Sequence, residues 1–238
     1  NMLYSENLGE RKKLLPFYEA SRLARKRFYD LISQSVYRGG KVLDYGCGQG
    51  DLALFIANIG AKTIGIDISD EAISKAQKRA YGYTNDVSFI KMDAQDLKFD
   101  DSYFDLVCGI SIIHHLNPGR VYYEVSRVLK PTGRAIFLEP LGHNFFINLF
   151  RRCTPNFRSF DEKPLRCPDI WEANKYFEKI DCEWYALTTL AVIPFIKTAL
   201  KNPLLVFFQK IDNILIKNHR YFGKYGWQVI IQLERPCK

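Results

Sequence analysis

The chain is poor in the residues that metal and disulfide chemistry need. Four histidines and six cysteines are spread over 238 residues. No Cys-x-x-Cys pair or His/Cys cluster has ligand spacing, so neither a structural nor a catalytic metal is expected. Cys47, Cys108, Cys153, Cys167, Cys182 and Cys237 read as reduced thiols. No uninterrupted apolar run approaches the ~20 residues of a spanning helix. A Gly-Lys-Ser/Thr sequence is missing too, which removes a Walker phosphate loop. No secretory signal is visible, and Asn1 ahead of Met2 reads as a cloning scar outside the fold, so a cytoplasmic location is the expectation.

What is present is an ordinary globular composition, 47% hydrophobic and 25% charged, long enough for one sizeable core. A net charge of +8 is concentrated toward the two ends. Arg11, Lys12, Lys13, Arg22, Arg25, Lys26 and Arg27 crowd the first segment, while Lys197, Lys201, Lys210, Lys217, Arg220 and Lys224 punctuate the last. Such residues either attract an anionic partner (nucleic acid, membrane surface or phosphorylated substrate) or form a solvated helix face, and the solvated face is the preferred reading.

The most informative stretch is Val42-Leu43-Asp44-Tyr45-Gly46-Cys47-Gly48-Gln49-Gly50, an apolar strand that runs through an acidic residue into glycine at every second position. Glycine tolerates positive φ and lacks a Cβ, so the chain can turn sharply and leave room for an adenosine-sized ligand. A second strand, Thr63-Ile64-Gly65-Ile66-Asp67, ends in a carboxylate about twenty residues on, the spacing at which ribose hydroxyls are met. The dinucleotide fingerprint fails, because Asp51 stands where its last glycine belongs and would repel a pyrophosphate. The ligand should therefore carry ribose without phosphate, and Asp44 would suit an amino group or cation. Both criteria point to S-adenosylmethionine.

On these residues the chain resembles the class I S-adenosylmethionine-dependent methyltransferases. Val87 to Ala94 is similar to that family's third strand and the residues beside adenine, Phe104 to Ser111 to its fourth strand, and Glu124 to Arg134 to the following helix, turn and fifth strand. The resemblance covers roughly residues 40 to 140. It implies an α/β, Rossmann-like, doubly wound seven-stranded sheet, mostly parallel with an antiparallel last strand. It also implies cofactor contacts at Asp44, Gly46, Cys47, Gly48, Asp67, Ile68, Asp93, Ala94 and Ile110, with S-adenosyl-L-homocysteine as product.

Periodicity supplies the rest. An amphipathic helix is expected over 11–36, within an N-terminal helical cap (1–38), followed by one methyltransferase domain (39–238). Helices fit 51–59, 70–80 capped by Ser69, and 119–129. Ile170, Ala173, Phe177 and Ile180 suggest a further helix before a strand-like run from Glu183 to Val192, and Trp227 to Glu234 reads as the last strand. Segment 141–168 is irregular and reads as a lid. Apolar but interrupted, segment 186–216 reads as a lid or dimer-contact helix, with interfacial membrane binding as its alternative.

Open α/β sheets bind ligands beyond the carboxyl ends of their strands. His114 and His115 follow the fourth strand directly, and Glu139 closes the fifth. Histidine suits a general base near neutral pH, and the carboxylate could orient it. The arrangement is similar to sugar and natural-product O-methyltransferases of the family. In the competing reading the histidines only close the crevice. Several other residues have two readings. Cys47 is a loop residue rather than a nucleophile, and His143 is either an acceptor-side group or an ordinary loop histidine. Arg151, Arg152 and Arg158 either receive an anion or pair with Asp161 and Glu162, the pairing being preferred. Tyr4, Phe17, Tyr18, Phe145, Phe146, Phe157 and Phe160 either wall an aromatic or lipidic acceptor or simply pack in the core or lid.

The leading expectation is methylation of oxygen on a small-molecule acceptor, a sugar or specialised metabolite. C- or N-methylation of a quinone or lipid-like acceptor at a membrane surface is the first alternative, and a non-catalytic S-adenosylmethionine-binding module the second. Ser111-Ile112-Ile113-His114 replaces the Asn/Asp-Pro-Pro-Tyr/Phe motif of amino-methylating nucleic-acid enzymes, which argues against nucleic acid. The acceptor's identity and the oligomeric state are left open.

Overall fold

The computed structural model describes residues 19–237 apart from 20, 83–85, 146, 149–151, 153–162 and 219. The expectations for Tyr4, Arg11, Lys12, Lys13, Phe17, Tyr18, Phe146, Arg151, Cys153, Phe157, Arg158, Phe160, Asp161 and Glu162 therefore lie outside the described residues.

In chain order the elements are α1 (Arg22–Ser35), β1 (Lys41–Tyr45), α2 (Asp51–Ile59), β2 (Lys62–Asp67), α3 (Asp70–Ala80), β3 (Val87–Lys91), β4 (Phe104–Ile110), α4 (Pro118–Val128), β5 (Leu129–Pro140), α5 (Cys167–Trp171), β6 (Phe177–Tyr185), α6 (Lys201–Asn218), α7 (Arg220–Gly223) and β7 (Gln228–Pro236). The strands form one seven-stranded sheet in the order β3-β2-β1-β4-β5-β7-β6. The pairs β1–β2, β1–β4, β2–β3 and β4–β5 are parallel, and β7 runs antiparallel to both β5 and β6. This is the expected doubly wound sheet with its reversed last strand.

Both faces of the sheet are covered, which explains its near-continuous apolar strands. On one face Leu43, Tyr45, Val107 and Phe137 pack against Val121, Tyr122 and Val125 of α4. On the other, Val42, Leu106, Ile136 and Ile230 meet Phe28 and Ile32 of α1 and Leu52 and Ile56 of α2. Full burial of each such side chain contributes roughly 1.5–3 kcal/mol. Ser69 caps α3 by accepting the Ala72 amide at 3.2 Å, and Asn117 caps α4 from the Arg120 amide at 3.1 Å.

Two local expectations change. Phe177 and Ile180 lie in β6 rather than in a helix; the helical part is α5 with a 3₁₀ turn at Glu172–Lys175. Pairing of β6 with β7, Ile180 opposite Leu233, overrides the 3.6-residue spacing. The strand expected over 183–192 stops at Tyr185, and Thr189–Phe195 is 3₁₀. The buried Asp212 draws that turn inward by accepting the amides of Leu187 at 3.1 Å and Thr188 at 2.6 Å.

Candidate active site

The order of strands reverses between β1 and β4, so the loops after these two strands diverge and leave a crevice. A cavity of about 380 Å³ opens there, lined by Asp44, Gly46, Cys47, Gly48 and Ile110 among the residues expected from sequence, and also by Arg25 and Tyr29 of α1.

The loop is shaped by close approach. Gly46 has φ +75°, and a Cβ there would come within 2.6 Å of the Ile112 side chain; at Gly50, φ +83°, it would meet Phe89 at 2.6 Å. Gly48 differs: its φ is +52° and a Cβ would meet nothing within 4 Å. The first two glycines thus admit neighbouring side chains, whereas Gly48 keeps the cavity free. Arg79 braces the loop from α3 by donating to the Gln49 carbonyl at 2.8 Å and pairing with Asp51 at 2.5 Å.

Asp44 is 1% exposed, and its Oδ2 accepts the Ala53 amide at 2.9 Å. Burial, reinforced by Asp51 and Asp67, pushes its pKa up to about 7. A cationic group placed in the cavity would relieve that cost. Asp67 ends β2 with one oxygen accepting the Gly48 amide at 3.0 Å and the other the Ser69 amide at 2.9 Å. Ile68 beside it is 68% exposed, an apolar surface next to the carboxylate. Asp93 is exposed, and its Oδ1 accepts the Gln95 amide at 2.8 Å, as a turn-capping residue does. Ala94 is buried, its carbonyl accepting the Tyr45 hydroxyl. Burial drives the Cys47 thiol pKa up, which disfavours the thiolate a nucleophile needs.

A second constellation lies across Ile112. Glu139 is fully buried; Oε1 accepts the amides of Ile112 at 2.8 Å and Ile113 at 2.9 Å, and Oε2 lies 2.8 Å from His114 Nδ1. With Nδ1 engaged, Nε2 is the nitrogen left to exchange a proton. The His115 ring lies 4.1 Å from that of His114, tilted by 39°. Just before them Ser111 adopts φ +57°, a left-handed conformation costing a non-glycine residue on the order of 1 kcal/mol. His143 faces elsewhere: its Nε2 accepts the Cys167 amide at 3.3 Å, fastening the two sides of the irregular segment, and burial lowers its pKa. Phe145 is 72% exposed.

Sequence reading missed Arg25, Tyr29 and Arg79. The spacing of Arg25 and Tyr29, one helical turn apart on a basic helix, was the available signal. Among the described residues no group of His, Cys, Asp or Glu could hold a metal. The donor set does fit a ribosyl ligand with a cationic end. It offers a glycine cradle, a buried carboxylate that gains from a positive neighbour, and a second carboxylate at ribose spacing.

Comparison with known proteins agrees. A family profile described as "Methyltransferase domain" matches residues 43–137. The chain is 30% identical over 158 residues to the ubiquinone biosynthesis O-methyltransferase of Thiobacillus denitrificans, spanning 61% of this chain and 67% of that protein. It is 38% identical over 122 residues to the sterol 24-C-methyltransferase of Aspergillus fumigatus, which covers half of this chain but only 32% of that protein, so the chain spans about a third of its length. Among solved structures, the fold is shared with phosphoethanolamine N-methyltransferase 2 of Haemonchus contortus bound to S-adenosyl-L-methionine (TM-score 0.63, 19% identity, 88% of this chain and 52% of that one). The chain belongs to the class I S-adenosylmethionine-dependent methyltransferases.

Proposed function

We propose that the chain methylates an oxygen of a small-molecule acceptor, with His114 as general base. The observation that carries the reading is the buried His114–Glu139 contact of 2.8 Å at the carboxyl end of the sheet. S-adenosylmethionine, held by Asp44, Gly46, Gly48, Asp67, Ile68 and Ile110, supplies an activated methyl group. What the protein adds is alignment, exclusion of water and removal of the acceptor's proton. Glu139 accepts a hydrogen bond from Nδ1–H, fixes the imidazole tautomer and stabilises the imidazolium that forms when Nε2 takes the hydroxyl proton. His115 lies against His114, its ring tilted by 39°.

The relatives' names bear on the acceptor. One is a ubiquinone biosynthesis O-methyltransferase and the other a sterol 24-C-methyltransferase. They support a largely apolar ring over a sugar, and the O-methyltransferase shares the longer span. Carbon methylation is the second reading, favoured by the higher identity to the sterol enzyme.

Calorimetry with S-adenosylmethionine tests the cofactor site. Asp67→Ala should weaken binding roughly 10- to 100-fold, the worth of one or two charge-assisted hydrogen bonds; unchanged affinity sinks the assignment. Acceptor chemistry is read by incubating the protein with isotopically labelled donor and a panel of hydroxylated quinol precursors, sterols and sugars. Label on carbon removes the oxygen-methylation reading, and turnover retained by His114→Ala removes His114 as the general base.

A further inference from the structure

Helix α6 carries an apolar face that the fold leaves bare. Leu200 just before it and Val206, Phe207 and Ile214 on it are 53–59% exposed. The opposite face holds Leu205 and Asp212, each 6% exposed, against the Thr189–Phe195 turn. Lys210 lies between Phe207 and Ile214 at helical spacing, and Lys197 stands beside Leu200; both are exposed.

The acidic balance of this region is unusual. From Trp184 to Leu233 the sequence contains a single carboxylate, Asp212. That carboxylate is turned inward, where it accepts the Leu187, Thr188 and Thr189 amides and the hydroxyls of both threonines. Lys201 at the start of the helix pairs with Glu19 at 2.8 Å, but among the described residues no ion pair engages Lys197 or Lys210, so the outer face is apolar and basic.

We infer that the face formed by Leu200, Val206, Phe207 and Ile214 with Lys197 and Lys210 docks on an anionic phospholipid surface. Charge complementarity selects this occupant. A second copy laid on the same face would set lysine against lysine with no carboxylate to answer them. Nucleic acid would leave the exposed Phe207 and Ile214 unburied. A bilayer interface accepts both features: side chains sink to the acyl boundary while ammonium groups meet the headgroups. No helix of the described residues is long and apolar enough to cross a membrane, so the helix, about 27 Å long at 1.5 Å per residue, would lie flat. This goes beyond the proposed chemistry and does not depend on it.

Co-sedimentation of the full chain with vesicles tests the inference, using phosphatidylcholine alone and a 70:30 mixture with phosphatidylglycerol. The protein should pellet with the mixture and stay in solution with phosphatidylcholine. Lys197→Gln with Lys210→Gln should lower partitioning roughly thirtyfold, at about 1 kcal/mol per basic residue. Phe207→Ser with Ile214→Ser should lower it at least as much. Thermal melting and S-adenosylmethionine affinity, expected to match the parent, separate this result from misfolding and from failure of the cofactor site. A parent protein that stays in solution overturns the proposal. So does a pelleting fraction that neither variant pair reduces, an oligonucleotide retained in place of vesicles, or a dimer that Phe207→Ser and Ile214→Ser dissolve without vesicle binding.

Discussion

Ile112 presses so closely on Gly46 that a methyl group at the glycine would stand 2.6 Å from its Cδ1. The same residue donates its amide to Glu139 at 2.8 Å, so Ile112 joins the glycine loop to the His114–Glu139 pair. Through it, the proposed donor and proton-accepting halves of the site are in direct contact.

The three glycines of the loop are expected to answer alanine differently. At Gly46 the methyl meets Ile112 at a positive φ, and thermal unfolding should show a loss of roughly 2–4 kcal/mol. At Gly48 nothing lies within 4 Å, so only the left-handed strain of about 1 kcal/mol is felt. Calorimetry on Gly48→Ala should nevertheless show S-adenosylmethionine binding weakened by tenfold or more, because the methyl projects into the cavity. Equal effects of the two substitutions on melting would contradict this account.

Glu139→Gln retains the shape of the side chain and an oxygen for the Ile112 and Ile113 amides. Its NH₂ group would then face His114 Nδ1, move the imidazole proton to Nε2 and leave no base toward the acceptor. Turnover should fall roughly 10²- to 10⁴-fold, with donor affinity within about twofold of the parent. A parent-like kcat would place the proton elsewhere.

Asp44 makes stability and binding depend on pH in opposite ways. Its pKa of about 7 exceeds the ordinary carboxylate value of 3.8, so between those limits the folded chain holds a proton that the unfolded chain has lost. Stability from this residue falls as pH rises from about 4 to 7 and is constant above, by about 4 kcal/mol in all. Binding of a cationic ligand beside it should instead tighten, up to roughly tenfold per pH unit below 7. Urea unfolding and calorimetry between pH 5 and 8 would measure both slopes, and Asp44→Asn should flatten them; slopes that survive that substitution belong to other groups.

Asp212 accepts five contacts from residues 187–189, and Asp212→Ala would remove the shared acceptor of those donors, of which Thr189 is buried and Leu187 and Thr188 are half-buried. A loss of roughly 2–4 kcal/mol is expected, lowering the melting temperature by about 5–15 °C. Hydrogen exchange should speed up in 187–218 while the sheet stays protected. Uniform exchange across the chain would show that α6 is not a separately anchored element.

Where neighbouring residues carry the instruction, reading the chain sufficed. The strand, carboxylate and alternating glycines of 41–50 specify their own turn, and Ser69 with Asp70 and Glu71 specify the start of α3. The stretch from Ile170 to Ile180 misled, because its apolar residues satisfy a helical period while the hydrogen bonds that make Phe177–Tyr185 a strand come from β7, about fifty residues away. The basic residues around Arg25 suggest a solvated helix face, and the one-turn spacing of Arg25 and Tyr29 does not by itself say that α1 walls the crevice, because that depends on how the helix packs on the sheet.

The sequence by itself determined the sheet-forming pattern, the loop that admits an adenosine-like ligand and the family to which the chain belongs, because φ preference and hydrophobic period are properties of adjacent residues. Only the tertiary structure decided that Gly46, Ile112, His114 and Glu139 form one unit and that Asp44 is desolvated at its edge. It also decided that the sole carboxylate of the α6 region points inward. Each depends on parallel register and burial between segments far apart in the chain, and these arise only when the sheet closes over its two cores.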